Sequence, residues 1–313
     1  MSREFKHISV LLDESVELLE VKAQGTYVDG TLGGGGHASL VCSKLTDGAT
    51  FVGIDRDMTA IEAASKRLAE FGDMVNIVHS NFAHVKRVLA DLGIKGIDGA
   101  ILDLGVSSPQ LDTAERGFSY NMDARLDMRM NRDDRLSAYE VVNEYSEAEL
   151  TKIIFEYGED KFARQIARAI VVARAEKPIE TTFQLSETIK SAIPAKIRFA
   201  DKHPAKRTFQ AIRIEVNNEL GILEQAICDF VDVLNPGGVL SVITFHSLED
   251  RIVKQAFAKL ASGCECPKNF PVCVCGKKPV VKIVNKKPIV SNSGELEMNI
   301  RAHSAKLRAV KKI

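Results

Sequence analysis

The sequence predicts an α/β fold, a doubly wound parallel sheet interrupted by an all-helical insertion. Three observations carry this. Apolar, β-branched runs at 26–28, 50–54, 75–79 and 99–102 alternate with helical segments, the pattern of βαβ units in a parallel sheet. The alternation then stops, and polar, amphipathic segments with helix-start signals fill 111–211. A fifth apolar run at 239–245 resumes it. The expected division is 1–110 with 212–313 for the sheet and 111–211 for the insertion, within reach of a 313-residue chain.

Composition narrows the class. With 45% hydrophobic and 27% charged residues the chain reads as a soluble globular protein. No apolar run approaches the ~20 residues of a membrane helix, and residues 1–7 carry no signal or transit pattern. Six cysteines without an export signal fit a reducing, cytoplasmic compartment without disulfides. The net charge of zero averages unlike segments. Residues 112–160 hold 6 basic against 13 acidic residues, 161–211 hold 11 against 4, and 251–313 hold 14 against 3. Two basic tracts suit a polyanionic partner, or they pair with the acidic tract.

In chain order, 7–21 reads as a loop and short helix beneath the first strand. Residues 26–28 form that strand, closed by Asp29 and followed by Gly30-Thr-Leu-Gly-Gly-Gly-Gly-His37. A strand that breaks into glycines before a helix brings backbone N–H groups and the helix dipole to a small ligand. Gly33, Gly35 and Ala38 fit a dinucleotide fingerprint weakly. Asp29 argues for a cation instead, because a carboxylate repels a pyrophosphate and attracts a sulfonium or ammonium group. The second strand ends at Asp55, placed to accept ribose hydroxyls, with Asp57 as the cap of the helix from Met58. The third strand runs into Phe82, which lies against a purine or belongs to the core. The fourth ends at Asp103. Four side chains at the carboxyl ends of parallel strands point to one site.

Ser137-x-x-Glu140 and Ser146-x-x-Glu149 are capping boxes that start two helices of the insertion. A third helix spans 160–175 with Lys161, Arg164 and Arg168 on one face, and a fourth lies around 184–192. A single long helix is expected over 208–234, then a turn at Asn235-Pro-Gly-Gly238 and the fifth strand. Two late strands near 280–284 and 305–310 suit an antiparallel edge.

Asp29-x-x-x-Gly33-x-Gly35 resembles the first motif of Rossmann-like S-adenosylmethionine methyltransferases. Further motifs are Asp103-Leu-Gly-Val-Ser-Ser-Pro-Gln110, Glu115-Arg-Gly-Phe118, Leu126-Asp-Met-Arg-Met130, Arg207-Thr-Phe-Gln-Ala211 and Phe245-His-Ser-Leu-Glu-Asp-Arg251. With them the chain, from about His7 to Arg308, resembles the MraW family of ribosomal RNA small-subunit methyltransferases. The resemblance implies S-adenosylmethionine as cofactor and methylation of N4 of a cytidine in the decoding region of 16S rRNA. Its partner would be that RNA or the small ribosomal subunit. Implied cofactor contacts are Gly34, Gly35, Gly36, His37, Asp55, Phe82, Asp103 and Gln110, the last by resemblance alone.

For catalysis the candidates are Asp103, Ser108 and Pro109, as acceptors near the target amine. Enzymes that modify base amino groups often carry a polar-Pro-Pro-aromatic tetrad after the fourth strand. Ser107-Ser-Pro-Gln110 stands there with one proline and no aromatic, so Phe118, Tyr120 and His246 are the candidates to stack on the base, with simple packing as the alternative for each. No metal is expected. Cys264-x-Cys266 and Cys273-x-Cys275 could close a zinc site, but usual ligand pairs have at least two intervening residues, and reduced packing thiols are the alternative. Two other readings compete. A nicotinamide-dependent oxidoreductase would need a second nucleotide-binding half, and a non-catalytic RNA-binding assembly factor would leave the carboxylates unexplained.

Overall fold

The computed structural model describes residues 9–195, 203–262, 266–267, 270–272 and 274–313. In chain order the elements are α1 (Leu12–Leu18), β1 (Thr26–Asp29), α2 (Gly36–Cys42), β2 (Thr50–Asp55), α3 (Met58–Leu68), β3 (Val75–His79), α4 (Val85–Asp91) and β4 (Ile97–Asp103). Then come α5 (Ser108–Asp112), α6 (Ala138–Glu144), α7 (Glu147–Glu156), α8 (Ala163–Glu176), α9 (Thr182–Ala192) and α10 (Lys206–Asn217). The chain closes with α11 (Leu223–Val233), β5 (Leu234–Thr244), α12 (Ser247–Ser262), β6 (Val281–Ile283), α13 (Ser293–Met298) and β7 (Lys306–Lys312).

Contacts divide the chain into two units, Met1–Gly105 with Leu220–Ile313, and Val106–Glu219. The boundaries read from the sequence, 110/111 and 211/212, cut through α5 and α10. Both helices belong whole to the second unit, as expected of hydrogen-bonded turns that form cooperatively.

In the first unit the described strands form one sheet in the order β3-β2-β1-β4-β5-β7-β6. β1 to β5 run parallel, and β7 is antiparallel to both neighbours. Side chains alternate between faces with the period of a pleated strand. Val28, Val52, Ile54, Ala100, Leu102, Leu240 and Val242 pack with Leu89, Phe230, Val253 and Phe257. Tyr27, Phe51, Ile101 and Val239 pack with Val16, Val41, Ala64 and Leu68. Both faces are covered, which is why the strands read as unbroken apolar runs. The chain builds β2 and β3 to one side of β1, then β4 and β5 to the other. The switch point therefore lies between β1 and β4, where ligands of such sheets bind.

Two expectations for 208–238 need correction. The long helix is two helices, α10 and α11, because Asn218 caps α10 in the left-handed region at φ 48, a conformation asparagine tolerates better than most residues. The Asn235–Gly238 turn is an irregularity within β5, where Ile97 pairs with Leu234 but Gly99 pairs with Val239.

The second unit is helical, around Leu126, Val141, Leu150, Ile154, Ile166, Ile170, Leu185, Phe209 and Ile212. The capping boxes at Ser137 and Ser146 are formed, and Ser107/Gln110 and Thr181/Gln184 add two more. Two of the sequence motifs interlock here. Met128 N–H donates to the Arg116 carbonyl at 3.0 Å, and Arg116 donates to the carbonyls of Arg129 and Met130. Gly117 sits at φ 68, where an added Cβ would lie 2.4 Å from the Arg125 carbonyl oxygen. Only glycine fits there.

Candidate functional site

The loop after β1 is fastened to the strands beside it. Gly33 N–H donates to Asp55 Oδ2 at 2.7 Å, and Gly35, at φ 76, turns the chain into α2. Gly34 opens onto space, with nothing within 4 Å of a Cβ built there. Asp55 ends β2 and also takes the Asp57 N–H on Oδ1 at 2.8 Å, while Asp57 caps α3 through Thr59 N–H. The sequence assigns the helix cap to Asp57 and leaves Asp55 for a ligand. Both Asp55 oxygens are engaged, yet a carboxylate accepts about four hydrogen bonds, so capacity remains for a ligand.

Asp29 is buried at 2% exposure. It does not face outward; its Oδ1 takes Thr31 N–H at 3.0 Å and lies 3.4 Å from the Thr31 hydroxyl. That hydroxyl oxygen in turn accepts the Asp103 N–H at 2.6 Å. Thr31 thus ties the ends of β1 and β4 together. Sequence reading did not single it out, although a threonine two residues past a strand-end aspartate suits such a turn.

Asp103 is more open than Asp29, with its side chain 24% exposed. Its Oδ2 lies 3.9 Å from His37 Nδ1, and its Oδ1 is enclosed without a hydrogen-bond partner among the described residues. His37 Nε2 is 3.1 Å from the Val10 carbonyl. A carbonyl only accepts, so Nε2 carries a proton. Phe82 follows β3 and packs, partly buried, on the sheet core.

Burial pushes all three carboxyls up. Asp29 rises to about 7, Asp55 is raised, and Asp103 rises well above the usual range, with Asp29 and Glu249 adding like-charge repulsion. A cation bound among them would reverse that repulsion. An unmet acceptor in a ring of carboxylates fits the ammonium and sulfonium groups of S-adenosylmethionine and not a phosphate.

The remaining candidates lie in the second unit. Ser108 and Pro109 open α5, capped by Ser107, and Gln110 Oε1 accepts the Ser107 N–H at 3.0 Å. The Ser107 and Pro109 carbonyls take Leu111 and Thr113 N–H groups. Phe118 is core, beneath the Arg116 guanidinium. Tyr120 stacks on His203 with ring centroids 4.3 Å apart. Cys264 and Cys273 lie outside the described residues; Cys266 Sγ accepts the Val274 N–H at 3.4 Å. Among the described residues no helix is long and apolar enough to cross a membrane.

Compared with known families, residues 4–313 match the MraW methylase family. The chain belongs to this family. It is similar to the ribosomal RNA small subunit methyltransferase H of Brevibacillus brevis, 55% identical over 309 residues, with 99% of this chain and 98% of that protein covered. A protein of the same name from Clostridium botulinum is 57% identical over 310 residues, with 99% and 100% covered. As an MraW methylase the chain takes S-adenosylmethionine as its cofactor, and the donor set at the ends of β1, β2 and β4 fits that cation.

Proposed function

We propose that the protein methylates N4 of a cytidine in the decoding region of 16S rRNA, acting on that RNA or on the small ribosomal subunit. The observation that carries the reading is Asp103, an acceptor with an unmet oxygen at the end of β4, beside the switch point. The names of the similar proteins supply the RNA.

When bound, S-adenosylmethionine supplies an electrophilic methyl group. Gly34, Gly35, Gly36 and His37 would line its loop, Asp55 would hold the ribose, Phe82 would support the purine, and Asp103 would take the cationic end. Gln110 is assigned to the same contacts by family resemblance. The amine of cytosine lends its lone pair to the ring and must pyramidalise to react. The partly exposed Asp103 carboxylate accepts one amine hydrogen, favours that rehybridisation and takes the proton afterwards. Ser108 and Pro109 stand at the start of α5, where the carbonyls that bracket Ser108 each take one helix N–H and keep a second lone pair for the amine.

The helical insertion is the RNA-recognition unit in this reading. Arg164, Arg168 and Lys206 are exposed on it and make no ion pair among the described residues. Arg207 is exposed too and donates to the Glu159 carbonyl at 2.7 Å.

Digestion of methylated RNA and mass spectrometry test the reading. N4-methylcytidine at one decoding-region position is the expected product, and methyl on any other atom overturns it. Asp103→Asn should lower the single-turnover rate by on the order of a hundredfold with little change in substrate affinity.

A further inference from the structure

Of the Phe245–Arg251 motif only His246 has a role so far, as a sequence candidate to stack on the base. Thr244 ends β5 and Ser247 starts α12, so His246 stands at the carboxyl rim of the sheet. Asp103 pairs with Ile243 across β4 and β5, which sets His246 three residues beyond the partner of Asp103. The order of the rim is β2, β1, β4, β5, with neighbouring strands about 4.8 Å apart. A ribose held at Asp55 and a cationic group held at Asp103 lie along that row. The methyl acceptor then approaches over β5, just beyond whose end His246 stands.

His246 and Glu249 cap each other. The buried Glu249 carboxylate accepts Phe245 N–H at 2.8 Å and His246 N–H at 3.2 Å through Oε2. In return Glu249 N–H donates to His246 Nδ1 at 3.4 Å. An acceptor nitrogen carries no hydrogen, so the neutral ring holds its proton on Nε2. Nε2 lies 3.2 Å from Glu249 Oε1, out of line for a bond, and is enclosed without a hydrogen-bond partner among the described residues. A buried donor left this way awaits a partner.

We infer that His246 is the donor that reads the target base, its Nε2–H received by the ring N3 next to the reacting amine. This rests on the cytosine-N4 reading above. The role is positional: the fixed tautomer makes His246 a donor and leaves proton removal to Asp103. Uracil and guanine carry an N–H at the corresponding edge and would meet Nε2–H donor to donor, so His246 also selects an amine flanked by an acceptor.

The test uses the full chain and the RNA or subunit that the wild-type enzyme methylates. His246→Asn keeps an oxygen for the Glu249 N–H but cannot reach the base; His246→Gln keeps a donor near the Nε2 position. We expect His246→Asn to retain the thermal midpoint and S-adenosylhomocysteine affinity while kcat/KM for RNA falls about ten- to a hundredfold. His246→Gln should recover part of that loss. Replacing the target cytidine by 3-deazacytidine should slow the wild type by a similar factor and slow His246→Asn no further. Equal slowing of both enzymes, or an acidic limb in the wild-type pH–rate profile that His246→Asn removes, would overturn the inference. If the methyl group is found elsewhere than cytosine N4, the underlying functional reading fails instead, whatever the variants do.

Discussion

Thr31 holds Asp103 by its backbone: the threonine hydroxyl oxygen accepts the Asp103 N–H at 2.6 Å. Thr31→Val keeps the shape and strands that N–H in a partly buried place. A loss of about 1–3 kcal/mol is expected, seen as a lower Tm, with a weaker response to S-adenosylhomocysteine. Thr31→Ser should restore most of it. An unshifted melting curve for Thr31→Val would show that the bond contributes nothing.

Asp55 has a double duty, holding Gly33 N–H as well as the proposed ribose. Asp55→Ala should weaken cofactor binding by about 1.5–3 kcal/mol, and Asp55→Asn, which keeps one acceptor oxygen, should fall between. Calorimetric titration measures both. Unchanged affinity in Asp55→Ala would reduce the residue to a local turn former.

Asp29 sets a pH dependence. Its carboxyl rises from 3.8 to about 7 through burial, so the folded chain holds a proton that the unfolded chain has released between those values. This contribution to stability is fully present below pH 3.8 and is lost as pH rises to about 7. Cofactor binding has the opposite sign, since a cation prefers the ionised carboxylate. Binding near pH 7 should release protons, measured as a heat that varies with the ionisation enthalpy of the buffer. Asp29→Asn should reduce both the stability slope and the proton release, leaving the shares of the raised Asp55 and Asp103 carboxyls.

Gly117→Ala should be the most damaging single-methyl change in the helical unit. A left-handed backbone costs an L-residue roughly 1–2 kcal/mol, and the contact with the Arg125 carbonyl adds to it. Loss of at least about 2 kcal/mol in denaturant unfolding is expected, while a drop under 0.5 kcal/mol would mean that the loop shifts freely.

On the surface of the same unit, Arg164, Arg168 and Lys206 should act through charge alone. Replacing each by alanine should lower the dependence of log affinity on log salt by about 0.7–0.9, alike for target and unrelated RNA. A triple variant with the wild-type salt slope would assign these side chains to another role.

Much of this geometry was legible because it is local. Asp29, Asp55 and Asp103 each close an apolar run, so their places at the ends of β1, β2 and β4 followed from the pattern. Ser137 and Ser146 were readable as caps because a capping box is written within four residues. Thr31 was invisible since its partner, Asp103, lies on another strand. The break at Asn218 escaped because the apolar period continues through it, and only a backbone torsion marks the stop. Ser107–Gln110 had two meanings at once, a motif for chemistry and a helix cap, and spacing alone does not separate them.

The insertion of Val106–Glu219 between β4 and β5 also orders events during synthesis. When β4 has emerged, its open edge still lacks β5, and the apolar Ile97, Ala100, Ile101 and Leu102 have no strand on that side. The helical unit, whose residues all come next, can be complete before β5 arrives. The nascent sheet must therefore wait, half built and with an edge able to pair wrongly, for more than a hundred residues at about 5–20 residues per second. A chaperone that shields that edge for several seconds would matter more to this chain than to one whose strands follow one another.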